Sequence, residues 1–271
     1  MRCPVRLVAS DLDGTIVGPD NRISDRTVRA FRDCAEAGID VVFVTGRPPR
    51  WLSPLRDLLG HRGTVICSNG AITYDLAAGR VLEAQALALP NIFAAAGVIR
   101  ELYPSARFAA ETVDGFHLGP GFLEPGSGEL PGAATPAPLE TTLDESHTVV
   151  KFLARVDGAS PDEFLHKVRP SVAHLVSTTH SAPSTALLEM SLLGLDKSVT
   201  LSGYAASRGI DRADVVAFGD MPNDVQMLQW AGCGYAMASG HADALAAADK
   251  VAPAFADDGV AQILEALLRR T

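Results

Sequence analysis

A chain of 271 residues has room for one large domain or two of ordinary size. Its 47% hydrophobic and 20% charged content can build a substantial core, which excludes disorder as the main state. With 23 Lys and Arg against 32 Asp and Glu, the formal charge of -9 argues against nucleic acid or a membrane surface as partner. It favours small molecules, with a metal ion to offset the acid.

The opening segment has only a short apolar stretch before an acidic cluster, too short for a signal peptide, and no run of about 18 apolar residues follows anywhere. Val5 to Ser10 reads as a buried strand. Ser24 to Ala37 reads as a helix capped by Ser24, with Val28, Phe31 and Ala35 on one face and Gly38 at its end. Asp40 to Val44 is a second strand, Pro48 to Leu59 a helix, and Thr64 to Cys67 a third strand. Ser68-Asn69-Gly70 is a turn leading into a hairpin through Tyr74 and Arg80 to Leu82. This alternation implies parallel βαβ units.

Residues 84–186 have a different texture, with a strand at Val149 to Val156 and a helix near Pro161 to Val168, the pattern of an α+β segment. Within it, residues 119–138 hold five Gly and five Pro, which makes a loop. The βαβ rhythm then resumes. Lys197 to Ser207 is helix, Asp214 to Phe218 strand, Pro222 to Ala231 helix, Cys233 to Met237 strand, His241 to Ala247 helix and Asp258 to Arg270 a closing helix. The expected organisation is a parallel core from residues 1–83 and 187–271, carrying an inserted α+β domain over residues 84–186. Cys3, Cys34, Cys67 and Cys233 show no zinc-ligand spacing and are read as reduced thiols, consistent with a cytoplasmic protein.

Three polar clusters follow predicted core strands, and ligands of open α/β sheets bind outside the carboxyl ends of the strands. Asp11-Leu12-Asp13-Gly14-Thr15 sets two carboxylates two residues apart, an invitation to a divalent cation, although a DxDG turn alone is common on surfaces. Thr45-Gly46-Arg47-Pro48 offers a hydroxyl and backbone N–H groups at a helix start, an anion site if it is more than a capped turn. Arg47 either grips a substrate or pairs with a nearby acid, and the pairing role is preferred. Gly219-Asp220-Met221-Pro222-Asn223-Asp224 puts two carboxylates and an amide on one loop, oxygen ligands that suit Mg²⁺. Lys197 begins a helix, an unfavourable place for a cation unless an anion lies nearby.

These parts, in this order, resemble the haloacid dehalogenase superfamily of phosphohydrolases. Val44-Thr45-Gly46-Arg47, Ser68-Asn69-Gly70-Ala71 and Gly219-Asp220 through Met227-Leu228, with the large insertion, resemble its Cof-type branch with a C2 cap. The resemblance implies a Rossmann-like core with an inserted α+β cap and Mg²⁺-dependent hydrolysis of small phosphate monoesters, sugar phosphates first and cofactor phosphates next. It implies Asp11 as nucleophile and Asp13 as general acid and base, the latter helped by a pKa that closeness to Asp11 and partial burial would raise. Thr45, Gly46, Lys197 and Asn223 would hold the phosphoryl group. Asp11, the Asp13 carbonyl and Asp220 would bind Mg²⁺, and Asp224 would fix them from behind.

Glu111, His117, Lys151, Arg155 and His180 are candidates to touch the leaving group, although each reads by default as an ordinary surface residue. A phosphosugar mutase on the same fold, or a non-enzymatic phosphate-binding module, remains the alternative. A monomer or small homo-oligomer acting on a phosphorylated metabolite is expected.

Overall fold

The computed structural model describes residues 5–52, 63–123 and 135–269. Along the chain, β1 (Leu7–Ser10) leads to α1 (Asp25–Glu36), β2 (Asp40–Val44), β3 (Thr64–Cys67), β4 (Ile72–Asp75) and β5 (Arg80–Ala84). There follow α2 (Leu89–Leu102), β6 (Arg107–Thr112), β7 (Phe116–Leu118), α3 (Leu139–Thr142), β8 (Val149–Arg155), α4 (Pro161–Val172), β9 (Val176–Thr179) and β10 (Leu187–Leu192). The last stretch is α5 (Lys197–Ser207), β11 (Val215–Gly219), α6 (Val225–Trp230), β12 (Cys233–Met237), α7 (Ala242–Ala247), β13 (Lys250–Ala252) and α8 (Gly259–Leu268).

The chain forms two compact units, one from residues up to Leu82 and from Asp196 onward, the other from Glu83–Leu195. In the first, the described strands make a sheet in the order β13-β12-β11-β1-β2-β3-β4-β5. The pairs from β13 to β3 are parallel, and β4 runs antiparallel to β3. Such parallel strands need apolar residues on both faces because helices cover both. Leu7, Ala9, Val42, Val44, Val215 and Ala217 meet Leu201, Met227 and Leu228 on one side. Phe43 turns the other way and meets Phe31 of α1 edge to face, with ring centroids 5.1 Å apart.

Ser24 caps α1 as expected, its side chain accepting from the Thr27 N–H, a contact worth about 1 kcal/mol. The expected helix face is corrected by the structure. Thr27, Ala30, Phe31 and Cys34 are buried, whereas Val28 is half-buried and Ala35 exposed. Of the helix expected over Pro48 to Leu59, a single 3-10 turn at Pro49–Trp51 is described. The remainder beyond Leu52, the middle of the Gly/Pro-rich loop, and Cys3 lie outside the described residues.

The second unit is a sheet in the order β7-β6-β8-β10-β9, antiparallel throughout its described pairs. One face packs on α2 and α4 through Ile92, Ile99, Phe152, Phe164 and Met190. Its boundary differs from the expected 84–186. Leu187–Leu192 pairs with β8 and β9, so the unit extends to Leu195.

Candidate active site

Parallel strands release the residues that follow them at one edge of the sheet. Asp11 leaves β1, Thr45 leaves β2, Ser68 leaves β3 and Asp220 leaves β11. The strand order reverses between β1 and β11, so the gap that opens there lies between Asp11 and Asp220. A backbone bond from the Asp11 N–H to the Phe218 carbonyl, 2.9 Å, ties the two exits together.

Local geometry explains the small residues. Gly14 has φ +79°, a left-handed conformation that costs other residues energy, and a Cβ on it would stand 2.2 Å from Asp220 Oδ2. The turn after β1 can therefore close against the second acidic loop only with glycine there. Thr15 then donates its hydroxyl to Asp220 Oδ1 at 3.1 Å.

Lys197 is completely buried and bridges two carboxylates, donating to Asp11 Oδ1 and to Asp224 Oδ1 at 2.6 Å each. Burial alone would lower its pKa, but Asp11 and Asp224 outweigh that and hold it above the ordinary value. Asp196, just before it, caps α5 by accepting from the Ser198 and Val199 N–H groups. Asp224 is fully committed, since its Oδ2 accepts from the backbone N–H groups of Asp220 and Met221 at 3.0 Å each. It shapes the loop that presents Asp220.

Asp11, Asp220 and Asp224 offer carboxylate oxygens that all lie within 4.8 Å of one another. One lysine cannot neutralise three buried acids. Burial, opposed by Lys197, and then the neighbouring acids Asp224, Asp220 and Asp13 raise the Asp11 pKa well above its usual range. Burial first and Asp224 second push Asp220 up to about 7. Hard oxygen donors with surplus negative charge are what a divalent cation requires. The same cluster also has Asn223 Oδ1 buried without a hydrogen-bond partner among the described residues. The residues present fit a cation.

Thr45 is buried, and its Oγ1 accepts from the Arg47 N–H at 3.0 Å, which leaves its own O–H able to donate. Gly46 lies between them on the same loop.

Asp13 departs from expectation. Its side chain is 55% exposed rather than partly buried, and it pairs with Arg47, whose Nε donates at 2.8 Å and Nη2 at 2.5 Å. The turn set by Gly14 points this carboxylate outward while Asp11 points in. Arg47 takes the pairing role read from the sequence, and its acid is Asp13.

Sequence reasoning missed the third strand exit as part of this site. Ser68 and Asn69 both adopt left-handed φ, 51° and 57°, rare for non-glycine residues and a mark of functional turns. Asn69 accepts at Oδ1 from Asn223 Nδ2 at 3.0 Å, and its N–H donates to the Thr45 carbonyl. Ser68 Oγ is buried without a partner among the described residues. The signal was present in Ser68-Asn69-Gly70, because Asn and Gly tolerate this backbone best.

Three of the five candidates in the second unit are not surface residues. Glu111, Lys151 and His180 are buried. Glu111 on β6 and Lys151 on β8 are register partners, and Lys151 Nζ donates to Glu189 Oε2 at 2.5 Å. His180 Nε2 lies 2.9 Å from Asp162 Oδ1, Arg155 reaches Asp157 at 3.4 Å, and the His117 ring sits edge-on to His147. Of these five, Glu111 and Lys151 are neighbours across β6 and β8.

The chain is similar to known proteins over nearly its whole length. A family model described as haloacid dehalogenase-like hydrolase matches residues 8–264. The chain is 28% identical over 265 residues to a 5-amino-6-(5-phospho-D-ribitylamino)uracil phosphatase of Bacillus subtilis strain 168, covering 96% of each chain. It is 26% identical over 267 residues to a pyridoxal phosphate phosphatase of Escherichia coli K12, covering 96% of this chain and 97% of the other. A solved haloacid dehalogenase-like hydrolase from B. subtilis shares the fold, with a TM-score of 0.81, 22% identity, and coverage of 96% and 99%. Among the described residues, no helix is long and apolar enough to cross a membrane.

Proposed function

This chain belongs to the haloacid dehalogenase-like hydrolases, in their Cof-type branch, and from that membership we propose that it is a Mg²⁺-dependent phosphatase of small phosphate monoesters. The observation that carries the reading is the buried charge cluster at one sheet edge, in which Lys197 bridges Asp11 and Asp224 beside Asp220. The Asp11 carboxylate attacks phosphorus while the bond to the leaving oxygen breaks, and Asp13 gives that oxygen a proton. Asp13 then takes a proton from water as the water oxygen attacks the aspartyl phosphate, releasing phosphate and restoring Asp11.

Splitting one displacement in two leaves little for the protein to supply beyond positioning and charge. Thr45, Gly46, Lys197 and Asn223 hold the phosphoryl oxygens. Asp11, Asp220 and the Asp13 carbonyl would hold Mg²⁺, with Asp224 fixing the loop behind Asp220. When bound, Mg²⁺ neutralises the carboxylates and the phosphoryl charge that Asp11 must approach.

The raised Asp220 pKa gives a test of the cation that needs no substrate. An acid whose folded pKa lies above its unfolded value stabilises the fold below the unfolded pKa, and that contribution is lost as pH rises through the folded pKa. From Asp220, metal-free thermal stability should therefore fall as pH climbs from about 4 to about 7. Added Mg²⁺ should raise the melting temperature more at about pH 8 than at about pH 5, because it must displace a proton at the lower value. An equal shift at both values, or none, would contradict the assignment.

Sugar phosphates are the first substrate class and cofactor phosphates the second, in keeping with the ribityl and pyridoxal phosphates in the relatives' names. The second unit contributes the choice of leaving group, and the scattered reduced cysteines fit a cytoplasmic enzyme. A screen of phosphorylated metabolites with Mg²⁺, reading free phosphate, tests the function. Turnover on monoesters without added bisphosphate is expected. Isomerised product that appears only with a bisphosphate would indicate the mutase, and binding without release would indicate a phosphate-binding module.

A further inference from the structure

We propose that Asn69 is a positioning residue of the phosphoryl site, holding the side-chain amide of Asn223 so that one of its N–H groups is turned to a phosphoryl oxygen. This inference rests on the phosphatase reading above and adds to it a residue that acts through another. Asn69 Oδ1 accepts from Asn223 Nδ2 at 3.0 Å, and each residue is only 5% exposed. An amide nitrogen carries two hydrogens, so this bond uses one and leaves the second for a ligand. An amide free to rotate would present oxygen as readily as nitrogen, and an oxygen facing phosphate is repelled. Asn223 Oδ1 is buried with no hydrogen-bond partner among the described residues. Among those residues, the bond to Asn69 is therefore what orients the Asn223 amide.

Asn69 is itself held by a turn that few sequences adopt. Ser68, Asn69 and Gly70 have φ of 51°, 57° and 104° in succession. The Ser68 N–H donates to the Arg47 carbonyl and the Asn69 N–H to the Thr45 carbonyl, each at 3.0 Å. The Gly70 carbonyl accepts from Thr200 Oγ1 of α5 at 2.7 Å, and a Cβ on Gly70 would stand 2.6 Å from the Asp196 carbonyl. The turn after β3 is thus tied to the loop of Thr45, to the helix that opens with Lys197 and, through the Asn69 side chain, to the loop of Asn223. Three phosphoryl-holding side chains from distant parts of the chain share this one support, and Asn69 supplies the contact that reaches a ligand group directly.

The test compares wild type, Asn69→Gly, Asn69→Ala, Asn223→Ala and the double variant Asn69→Gly with Asn223→Ala. Glycine removes the amide and keeps the left-handed turn, whereas alanine removes the amide and strains the turn. Inorganic phosphate is the probe. Its affinity is read, with saturating Mg²⁺, from the thermal shift it produces and from its inhibition of aryl phosphate hydrolysis. Asn223→Ala removes a hydrogen bond to a charged group and should weaken phosphate by about 10-fold or more, while Asn69→Gly, which only loosens that bond, should weaken it by about 3- to 10-fold. Asn69→Ala should match Asn69→Gly in phosphate affinity and melt at a lower temperature. Mg²⁺ affinity should stay near wild type in both Asn69 variants. In the Asn223→Ala background, Asn69→Gly should change phosphate affinity by less than about twofold.

Asn69→Gly binding phosphate as tightly as wild type, while Asn223→Ala binds it weakly, would overturn the proposal. An additive loss in the double variant would overturn it too, since Asn69 would then grip phosphate itself. A parallel fall in Mg²⁺ affinity would do the same by making the turn a general support of the site. If Asn223→Ala binds phosphate like wild type, Asn223 does not hold the phosphoryl group, and the proposal falls together with that part of the functional reading.

Discussion

Replacing Asp11 with asparagine should cut phosphatase turnover by at least about 10⁴-fold and leave the fold in place. The amide has nearly the shape of the carboxylate but cannot attack phosphorus. Its effect on stability should be neutral or favourable, which separates a catalytic loss from a folding defect. Asp11 is an acid that burial and three neighbouring acids hold well above its usual pKa, so removing its charge relieves repulsion within the cluster. Lys197 keeps Asp224 as a partner at 2.6 Å. The checks are kcat on an aryl phosphate and the thermal midpoint of the same preparation, with intact mass to exclude deamidation back to aspartate. Substantial turnover in a folded, undeamidated variant would remove Asp11 as nucleophile.

Lys197→Met should damage both activity and stability. The lysine is fully buried and is the cation on which Asp11 and Asp224 both depend. Taking one partner from a buried ion network leaves uncompensated charge and costs about 3–5 kcal/mol, a large fraction of a domain's stability. Methionine fills much of the same volume, so the loss would reflect charge more than packing. The stability defect should shrink as pH falls, because protonating the stranded carboxylates removes the charge that lost its partner. Urea unfolding at about pH 7 and about pH 5 measures this. A variant as stable as wild type at both values would mean that the acids are compensated elsewhere. Turnover should fall with either outcome if Lys197 also neutralises phosphoryl oxygens.

The parts of the site legible in the sequence were those fixed by local chemistry. Apolar runs ending in Asp11, Thr45 and Asp220 announced strand exits, and parallel strands must place such exits at one edge. Two acids on one short loop exceed what a single cap needs, while the supporting role of Asp224 is what the family resemblance implies. What escaped depended on partners distant in the chain. Asn69 and Asn223 meet across 154 positions, and Arg47 and Asp13 across 34, separations that no motif encodes.

Leu187–Leu192 shows the same limit for the fold. An apolar strand fits a parallel core and an antiparallel sheet equally well, and only its pairing with β8 and β9 assigns it. The face of α1 was misjudged for a smaller reason. Thr27 and Cys34 are less conspicuous than Val28 and Ala35, yet their spacing with Ala30 and Phe31 matches the helical stripe.

The central claim is that Asp11 carries the phosphoryl group between two half-reactions. The most direct measurement is rapid-quench mass spectrometry of Asp13→Asn mixed with an activated aryl phosphate and Mg²⁺. Without the Asp13 carboxylate to activate water, phenol should appear in a burst ahead of phosphate, and a phosphoryl group should be found on the peptide containing Asp11. Turnover with no phosphorylated peptide at any quench time, or a phosphoryl group on a different residue, would contradict it.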